Sequence, residues 1–137
     1  KYDPTDMTLG IVADNAEITG EGTYTVSLDF SDCGIARGVF FSALGIYNGE
    51  KFFPGYTISI DEVKINGEVR ELSGKEYTCS DDGNCTRVNL YNQWVTSIPD
   101  DCRHADGDNS GLSATVLPVK DNEILSTLEI TFTYSAP

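Results

Sequence analysis

Basic side chains are scarce in this chain. Nine Lys and Arg residues stand against 22 Asp and Glu residues, which gives a formal net charge of −13 at pH 7. A surface of this sign repels polyphosphates, so we expect neither nucleic acid nor an anionic membrane as a partner. The same repulsion disfavours acidic polysaccharides such as pectate unless calcium bridges the charges. Neutral glucans remain compatible, and the simplest role of the charge is solubility.

Long apolar runs are also missing. No stretch is apolar enough to cross a bilayer, and no basic-then-apolar signal segment opens the chain. The 137 residues suit one domain with a full hydrophobic core, so we assign residues 1–137 to a single domain. The sequence starts abruptly at Lys1 and stops at Pro137, which favours a module cut from a longer polypeptide.

Residues for catalysis are few. The one histidine, His104, lies between Arg103 and Ala105 in what reads as an exposed polar loop, with no nucleophile-and-base motif around it. Paired carboxylates can hydrolyse glycosidic bonds, but 22 acidic residues produce such pairs by chance. The sequence therefore predicts no catalytic residues and a protein that is not an enzyme.

The four cysteines contain no C-x-x-C pair, which disfavours a zinc site. Two disulfides suit a secreted domain. Cys79 and Cys85 flank a glycine-containing turn, so we expect them to face each other across a hairpin, which leaves Cys33 with Cys102. Three pairings are open to four cysteines, and four reduced thiols are the alternative.

One acidic loop offers oxygen ligands around a glycine, in the order Asp106-Gly107-Asp108-Asn109-Ser110. Calcium accepts such ligands, which makes Asp106 and Asp108 weak candidates for a calcium site. The twelve-residue EF-hand pattern is absent. A plain acidic loop is the favoured interpretation, so we expect no cofactor.

Alternating and apolar segments indicate strands throughout. Thr23 to Phe30 alternates strictly, as a half-buried strand does, and Asn66-Gly67 is a strong signal for a two-residue hairpin turn. The remaining predicted strands are Gly38–Tyr47, Thr57–Ile60, Glu62–Ile65, Val69–Leu72, Tyr77–Ser80, Cys85–Tyr91, Ala114–Leu117 and Ile124–Tyr134. Short strands with Gly and Asn turns predict an all-β fold, an antiparallel β-sandwich.

The strand from Arg87 to Tyr91 is the best candidate for a binding surface. Val88 and Leu90 alternate with Asn89 and Tyr91, so one pair is expected in the core and the other on the open face. Gln93 extends the outward row. An aromatic ring offers a plane for the C–H face of a sugar, and amides bond to hydroxyls. An ordinary polar sheet face is the alternative.

Three further residues could border this face. Tyr47 and Asn48 follow the apolar strand and stand next to Gly49. Trp94 is the one tryptophan, and it could serve as a stacking platform. Its helical spacing with Val95 and Ile98 favours a buried position instead.

Several short sequence segments resemble segments of non-catalytic carbohydrate-binding modules. These modules belong to cellulases from anaerobic gut bacteria and are of the type in family 65 and its relatives. The segments of this chain are Gly38-Val-Phe-Phe-Ser-Ala-Leu-Gly-Ile46, Asn48-Gly49-Glu50, Phe53-Pro54-Gly55, Val63-Lys-Ile-Asn-Gly67 and Arg87-Val-Asn-Leu-Tyr-Asn-Gln-Trp-Val95. The resemblance covers about residues 18–134. The chain departs from the family's pattern in having a single tryptophan where members use several.

The resemblance implies a β-jelly-roll module that binds β-glucans, especially xyloglucan, on one sheet face. Asn89, Tyr91 and Gln93 are the positions similar to the family's ligand-binding residues. We therefore expect a secreted, monomeric module that binds neutral β-glucans such as xyloglucan, mixed-linkage glucan and cellulosic chains, and targets an attached glycoside hydrolase. The alternative is a protein-interaction or adhesion module of a secreted cell-surface assembly.

Overall fold

Two antiparallel sheets make up most of the computed structural model, which describes residues 16–29, 41–81, 84–92, 98, 102–106, 116–118 and 126–137. Their elements in chain order are β1 (Gly22–Asp29), β2 (Phe41–Ile46), α1 (Gly49–Phe52), β3 (Thr57–Ile65), β4 (Glu68–Val69), β5 (Glu76–Asp81), β6 (Cys85–Asn92), β7 (Arg103–Asp106) and β8 (Thr127–Ser135). The strand orders are β1-β8-β3-β4 and β2-β6-β5-β7. The predicted all-β antiparallel sandwich is confirmed, and the jelly-roll type stays a prediction.

The first sheet has one covered face and one face toward solvent. Along β1 the residues alternate between exposed and partly buried, as the sequence pattern predicts. Tyr24 stacks on Phe132 of β8 with ring centroids 5.7 Å apart. On the solvent side, the hydroxyls of Thr25 and Thr131 are 3.0 Å apart. The half-buried character of this strand is thus confirmed.

Strand β3 is longer than predicted. Two short strands were expected on either side of Asp61, but the structure has one strand with a bulge between Ile60 and Glu62. A bulge inserts one residue without ending the strand, which explains the break in the pattern. The Asn66-Gly67 turn is confirmed, because both residues have positive φ values of 54° and 82°.

The core lies between the two sheets and consists of aliphatic and aromatic side chains from both. Its buried members are Leu44, Ile46, Ile58, Ile60, Val63, Ile65, Val88, Leu90, Val116, Leu117, Ile130, Phe132 and Tyr134. Burying apolar surface is the main stabilising contribution to folding. Leu117 is fixed beside β6, since its N–H donates to the carbonyl of Leu90 at 3.0 Å. Residues 116–117 form a bend, although a strand was predicted there.

Side chains of β5 join the two sheets by accepting hydrogen bonds from backbone N–H groups of β3. The N–H of Ile58 donates to Thr78 Oγ1, and the N–H of Ile60 donates to Glu76 Oε2, each at 3.0 Å. Thr78 is fully buried and Glu76 is partly buried. Buried backbone donors need partners, and here two side chains of the opposite sheet supply them.

The expected Cys79–Cys85 contact is wrong. In the hairpin of β5 and β6, Cys79 stands opposite Arg87, and Cys85 stands opposite Asp81. The two cysteines are therefore diagonal neighbours with Cα atoms roughly 7–8 Å apart, whereas Cα atoms joined by a disulfide are usually about 4.4–6.8 Å apart. Cys79, Cys85 and Cys102 are thiols in the structure. Cys33, the expected partner of Cys102, lies outside the described residues.

Candidate functional site

Strand β6 places Val88 and Leu90 in the core, as predicted. Both side chains have no exposed surface. They face the aliphatic side chains of the opposite sheet, which anchors β6 in the sandwich. The prediction that Val88 and Leu90 face the core is therefore confirmed.

The other side of β6 is not an open face. Asn89 is only 2% exposed and Tyr91 is 9% exposed, so the expectation that these side chains point to solvent is wrong. The alternation of residues along β6 shows which side chains share a face of the sheet, but it does not show whether that face is exposed to water. In this structure the side chains on both faces of β6 are buried at these positions. Gln93 and Trp94, which were expected to extend the site, lie outside the described residues.

The amide of Asn89 is satisfied within the protein. Its Nδ2 donates to the hydroxyl of Tyr77 at 2.6 Å, and its Oδ1 accepts from Arg87 Nε at 3.1 Å. Burial raises the pKa of Tyr77, while the bond from Asn89 opposes that rise. A buried, paired amide has a structural role here because it connects β5 with β6.

The turn after β2 presents the most exposed aromatic ring among the described residues. Tyr47 is 87% exposed, and Phe52, at the end of α1, is 64% exposed. Asn48 has a left-handed backbone with φ 58°, and its carbonyl accepts the N–H groups of Lys51 and Phe52. We call Tyr47, Asn48 and Phe52 the aromatic corner. It contains two of the candidate residues taken from the sequence.

The aromatic corner rests on a fixed base. The N–H of Glu50 donates to the carbonyl of Asn84 at 2.8 Å, which ties α1 to the β5–β6 hairpin. The Glu50 carboxylate binds the guanidinium of Arg103 and accepts a hydrogen bond from the Thr86 hydroxyl. Arg103 also donates to the carbonyl of Tyr56. These bonds join α1 to the β5–β6 hairpin and to β7, so the base of the corner is fixed.

The structure sorts the aromatic residues around Pro54, which sequence patterns could not separate. Phe53 and Tyr56 pack on Tyr134, with ring centroids 5.8 Å and 4.9 Å apart. Phe52 points away from this cluster and carries Lys51 Nζ 5.5 Å from its ring centroid. Phe52 was missed as a surface residue because a run of aromatic residues shows no periodicity over so short a helix.

A small cavity of about 220 Å³ lies on the opposite side of β3 from β8. Its lining includes the apolar side chains of Ile60, Leu72 and Val116 and the charged residues Lys75 and Glu76. The Glu76 carboxylate already accepts the N–H of Ile60. The cavity therefore brings no converging set of polar groups to a ligand, and it is a weaker candidate than the aromatic corner.

His104 and Asp106 lie in strand β7, although both were expected in loops. Pairing with β5 extends the second sheet to this segment, and its polar sequence gave no strand signal. Asp108, the other calcium candidate, lies outside the described residues. Within the described ranges, no group of three or more His, Cys, Asp or Glu residues is placed to hold a metal ion.

No helix among the described residues is long and apolar enough to cross a membrane. Comparison of the chain with protein-family models, with curated proteins and with solved structures finds no match in any of the three.

Proposed function

We propose that this domain is a non-catalytic carbohydrate-binding module of the jelly-roll type that binds neutral plant cell-wall β-glucans. The observation that carries the proposal is the 87% exposure of Tyr47 on a turn whose backbone is fixed. In this proposal the site is the aromatic corner rather than the row of Asn89 and Tyr91. The module is secreted as part of a larger enzyme.

The chemistry of the aromatic corner suits a neutral, hydroxyl-rich ligand. The Tyr47 ring offers an apolar plane on which the C–H face of a sugar can stack, and Phe52 adds apolar area on the same turn-and-helix segment. The amide of Asn48 can donate to and accept from sugar hydroxyls. A turn held by hydrogen bonds loses little conformational entropy on binding, which favours affinity from a shallow surface.

The net charge of −13 supports a neutral ligand over an anionic one. Binding of a glucan chain would hold an attached glycoside hydrolase near its substrate and raise the effective concentration of that substrate. Such a role needs no nucleophile, general base or cofactor.

Affinity electrophoresis against xyloglucan, barley β-glucan, glucomannan and pectin tests the proposal. We expect retardation by at least one neutral glucan and none by pectin. Tyr47→Ala should weaken binding roughly fivefold, since a lost stacking contact is worth about 1 kcal/mol. The matched control is Val69→Ala, which removes an exposed apolar side chain from β4 of the other sheet.

Thermal unfolding of the two variants separates binding from stability. Both side chains are exposed, so both midpoints should stay within about 2 °C of the parent. If none of the four polysaccharides is bound, or if Val69→Ala weakens binding as much as Tyr47→Ala, the proposed site is wrong.

A protein-interaction or adhesion module is the second candidate, and Phe52 favours it. Its ring is 64% exposed and has no polar atom, so it suits an apolar protein surface better than a sugar. Phe52→Ala would then abolish capture of a secreted protein partner, while glucan binding would be absent from the parent and the variant alike.

A further inference from the structure

Strands β5 and β7 bring two cysteines to the same point of the second sheet. The strands are antiparallel, and Thr78 stands opposite Arg103. Cys102 directly precedes β7, so continuing this register by one position brings it opposite Cys79. Residues directly opposite each other in a sheet point to the same face. Because Thr78 faces the interior, Cys79 lies on the opposite face of the sheet, away from the core, and the continued register puts Cys102 on that same outer face.

The surroundings of Tyr77 support this placement. Negative charge on either sulfur raises the pKa of the Tyr77 hydroxyl, so both sulfurs lie within electrostatic reach of one phenol on the outer face. Cys79 is buried and its thiol donates to the carbonyl of Arg87 at 3.6 Å, and Cys102 is partly buried. The two cysteines therefore share one neighbourhood rather than lying at separate places on the sheet.

Cys85 is less well placed for either of them. A Cβ on Gly45 would lie 3.0 Å from Cys85 Sγ, so this sulfur sits over β2. Strand β5 separates β6, which carries Cys85, from β7 in the sheet order. Two strand spacings amount to roughly 9.6 Å, which is beyond the reach of a disulfide from Cys85 to Cys102.

We propose that Cys79 and Cys102 are an oxidation site and form a disulfide that fastens β7 to β5. The oxidant is a disulfide compound, either a small molecule or a thiol–disulfide oxidoreductase. The thiolate of one cysteine attacks the oxidant and releases one of its thiols, and the second cysteine then displaces the other. The two protein thiols lose two electrons and two protons, and the oxidant is reduced to two thiols. The proposal is independent of the function of the aromatic corner.

The spacing of directly opposite residues makes this reaction feasible. Directly opposite residues of antiparallel strands have Cβ atoms roughly 4.5–5.5 Å apart, and a disulfide needs about 3.5–4.5 Å. A small approach of the edge strand β7 is enough to close the bond. Cys102 directly precedes Arg103, so the disulfide would also restrain the partner of Glu50.

The double variant Cys33→Ser/Cys85→Ser tests the proposal because it leaves only the two cysteines in question. The folded variant is incubated with oxidised glutathione and digested with trypsin without reductant. Cleavage after Lys75, Arg87 and Arg103 places Cys79 in residues 76–87 and Cys102 in residues 88–103. We expect these two peptides joined, with a mass two hydrogens below their sum, and loss of both reactive thiols.

Thermal unfolding gives a second measurement. A disulfide that closes the loop between Cys79 and Cys102 should raise the midpoint of thermal unfolding by on the order of 10 °C, and reductant should reverse this rise. The triple variant Cys33→Ser/Cys85→Ser/Cys102→Ser, which keeps Cys79 as its single cysteine, should show no rise with oxidised glutathione. In the parent chain, digestion with an additional protease that cuts at Asp81 or Asp82 separates Cys79 from Cys85. Recovery of a Cys79–Cys85 link there, or two thiols that stay reactive in the double variant, would overturn the proposal.

Discussion

The guanidinium of Arg103 binds the carboxylate of Glu50 through two contacts of 2.7 Å each. Only 26% of the Arg103 side chain and 15% of the Glu50 side chain are exposed. Because Glu50 belongs to α1 and Arg103 begins β7, this pair joins a short helix to the edge strand of the second sheet. A four-residue helix has little stability of its own, so it depends on such tertiary contacts.

Replacement of Arg103 is expected to destabilise the domain. Arg103→Ala leaves the Glu50 carboxylate largely buried without its cation, and we expect the free energy of unfolding to fall by about 2–3 kcal/mol, less than for a fully buried pair. Urea unfolding measures the change. Lys64→Ala is the matched control, since Lys64 lies 3.8 Å from Glu62 and Glu129 at a much more exposed position and should cost less than about 1 kcal/mol. Equal losses in both variants would contradict the structural role of the Glu50–Arg103 pair.

Two buried tyrosines should make the domain sensitive to alkali. Burial raises the pKa values of Tyr77 and Tyr134 above the ordinary value of 10.0. The unfolded chain then releases these protons at lower pH than the folded chain does. Their contribution to stability is therefore complete below about pH 9 and is lost as the pH rises through the folded values.

Thermal unfolding between about pH 8 and pH 11 measures this effect. We expect the midpoint to fall above about pH 10, and Tyr134→Phe should show a shallower fall because it has one buried phenol fewer. Absorbance titration of the folded protein should show that Tyr77 and Tyr134, which ionise at higher pH than exposed tyrosines, lose their protons as the domain unfolds. A variant with the same pH dependence as the parent would contradict the assignment to Tyr134.

Gly49 should not tolerate alanine although it lies in a helix. Helix propensity alone predicts a gain of about 1 kcal/mol from Gly49→Ala. A Cβ at this position would lie 2.9 Å from Thr86 Cβ and would overlap the Thr86 hydroxyl, which itself binds Glu50. We therefore expect a net loss of roughly 1–3 kcal/mol. Lys51→Ala, at an exposed position of the same helix, should change stability by less than about 0.5 kcal/mol in the same urea titration.

Asn89 tests whether the outer face of β6 is structural. Asn89→Ala removes the amide that binds both Tyr77 and Arg87, and we expect the free energy of unfolding to fall by roughly 1–3 kcal/mol. Asn84→Ala, in the exposed turn of the same hairpin, should be nearly neutral. If Asn89→Ala keeps its stability but loses glucan binding, Asn89 belongs to the ligand site after all.

Local patterns predicted much of the sheet structure. Strict alternation identified β1, and Asn66-Gly67 identified the hairpin turn because few residues other than Asn and Gly accept positive φ there. These features depend on neighbours in sequence. The helix α1 was missed because four residues are too few to show helical periodicity, and strand β7 was missed because it forms through pairing with β5 rather than through its own residues.

The candidate site was harder to predict for the same reason. Asn89 and Tyr91 have the chemistry of a sugar-binding row, but their exposure depends on what packs over the second sheet. Tyr47 and Asn48 were recognised from the sequence as residues bordering the site, and the structure leaves Tyr47 almost fully exposed. Side-chain type identified candidate residues, whereas tertiary packing decided which of them are exposed.

The bonds from Thr78 and Glu76 to the backbone of β3 have a consequence for solubility. Strand β4 pairs only with Lys64 and Ile65 of β3. Without the bonds to Thr78 and Glu76, the N–H groups of Ile58 and Ile60 could pair with a strand of a second molecule. Unpaired strands of this kind promote intermolecular association and fibril growth. Side chains of the protein's own opposite sheet already occupy these donors, so this part of β3 is protected from self-association by two hydrogen bonds.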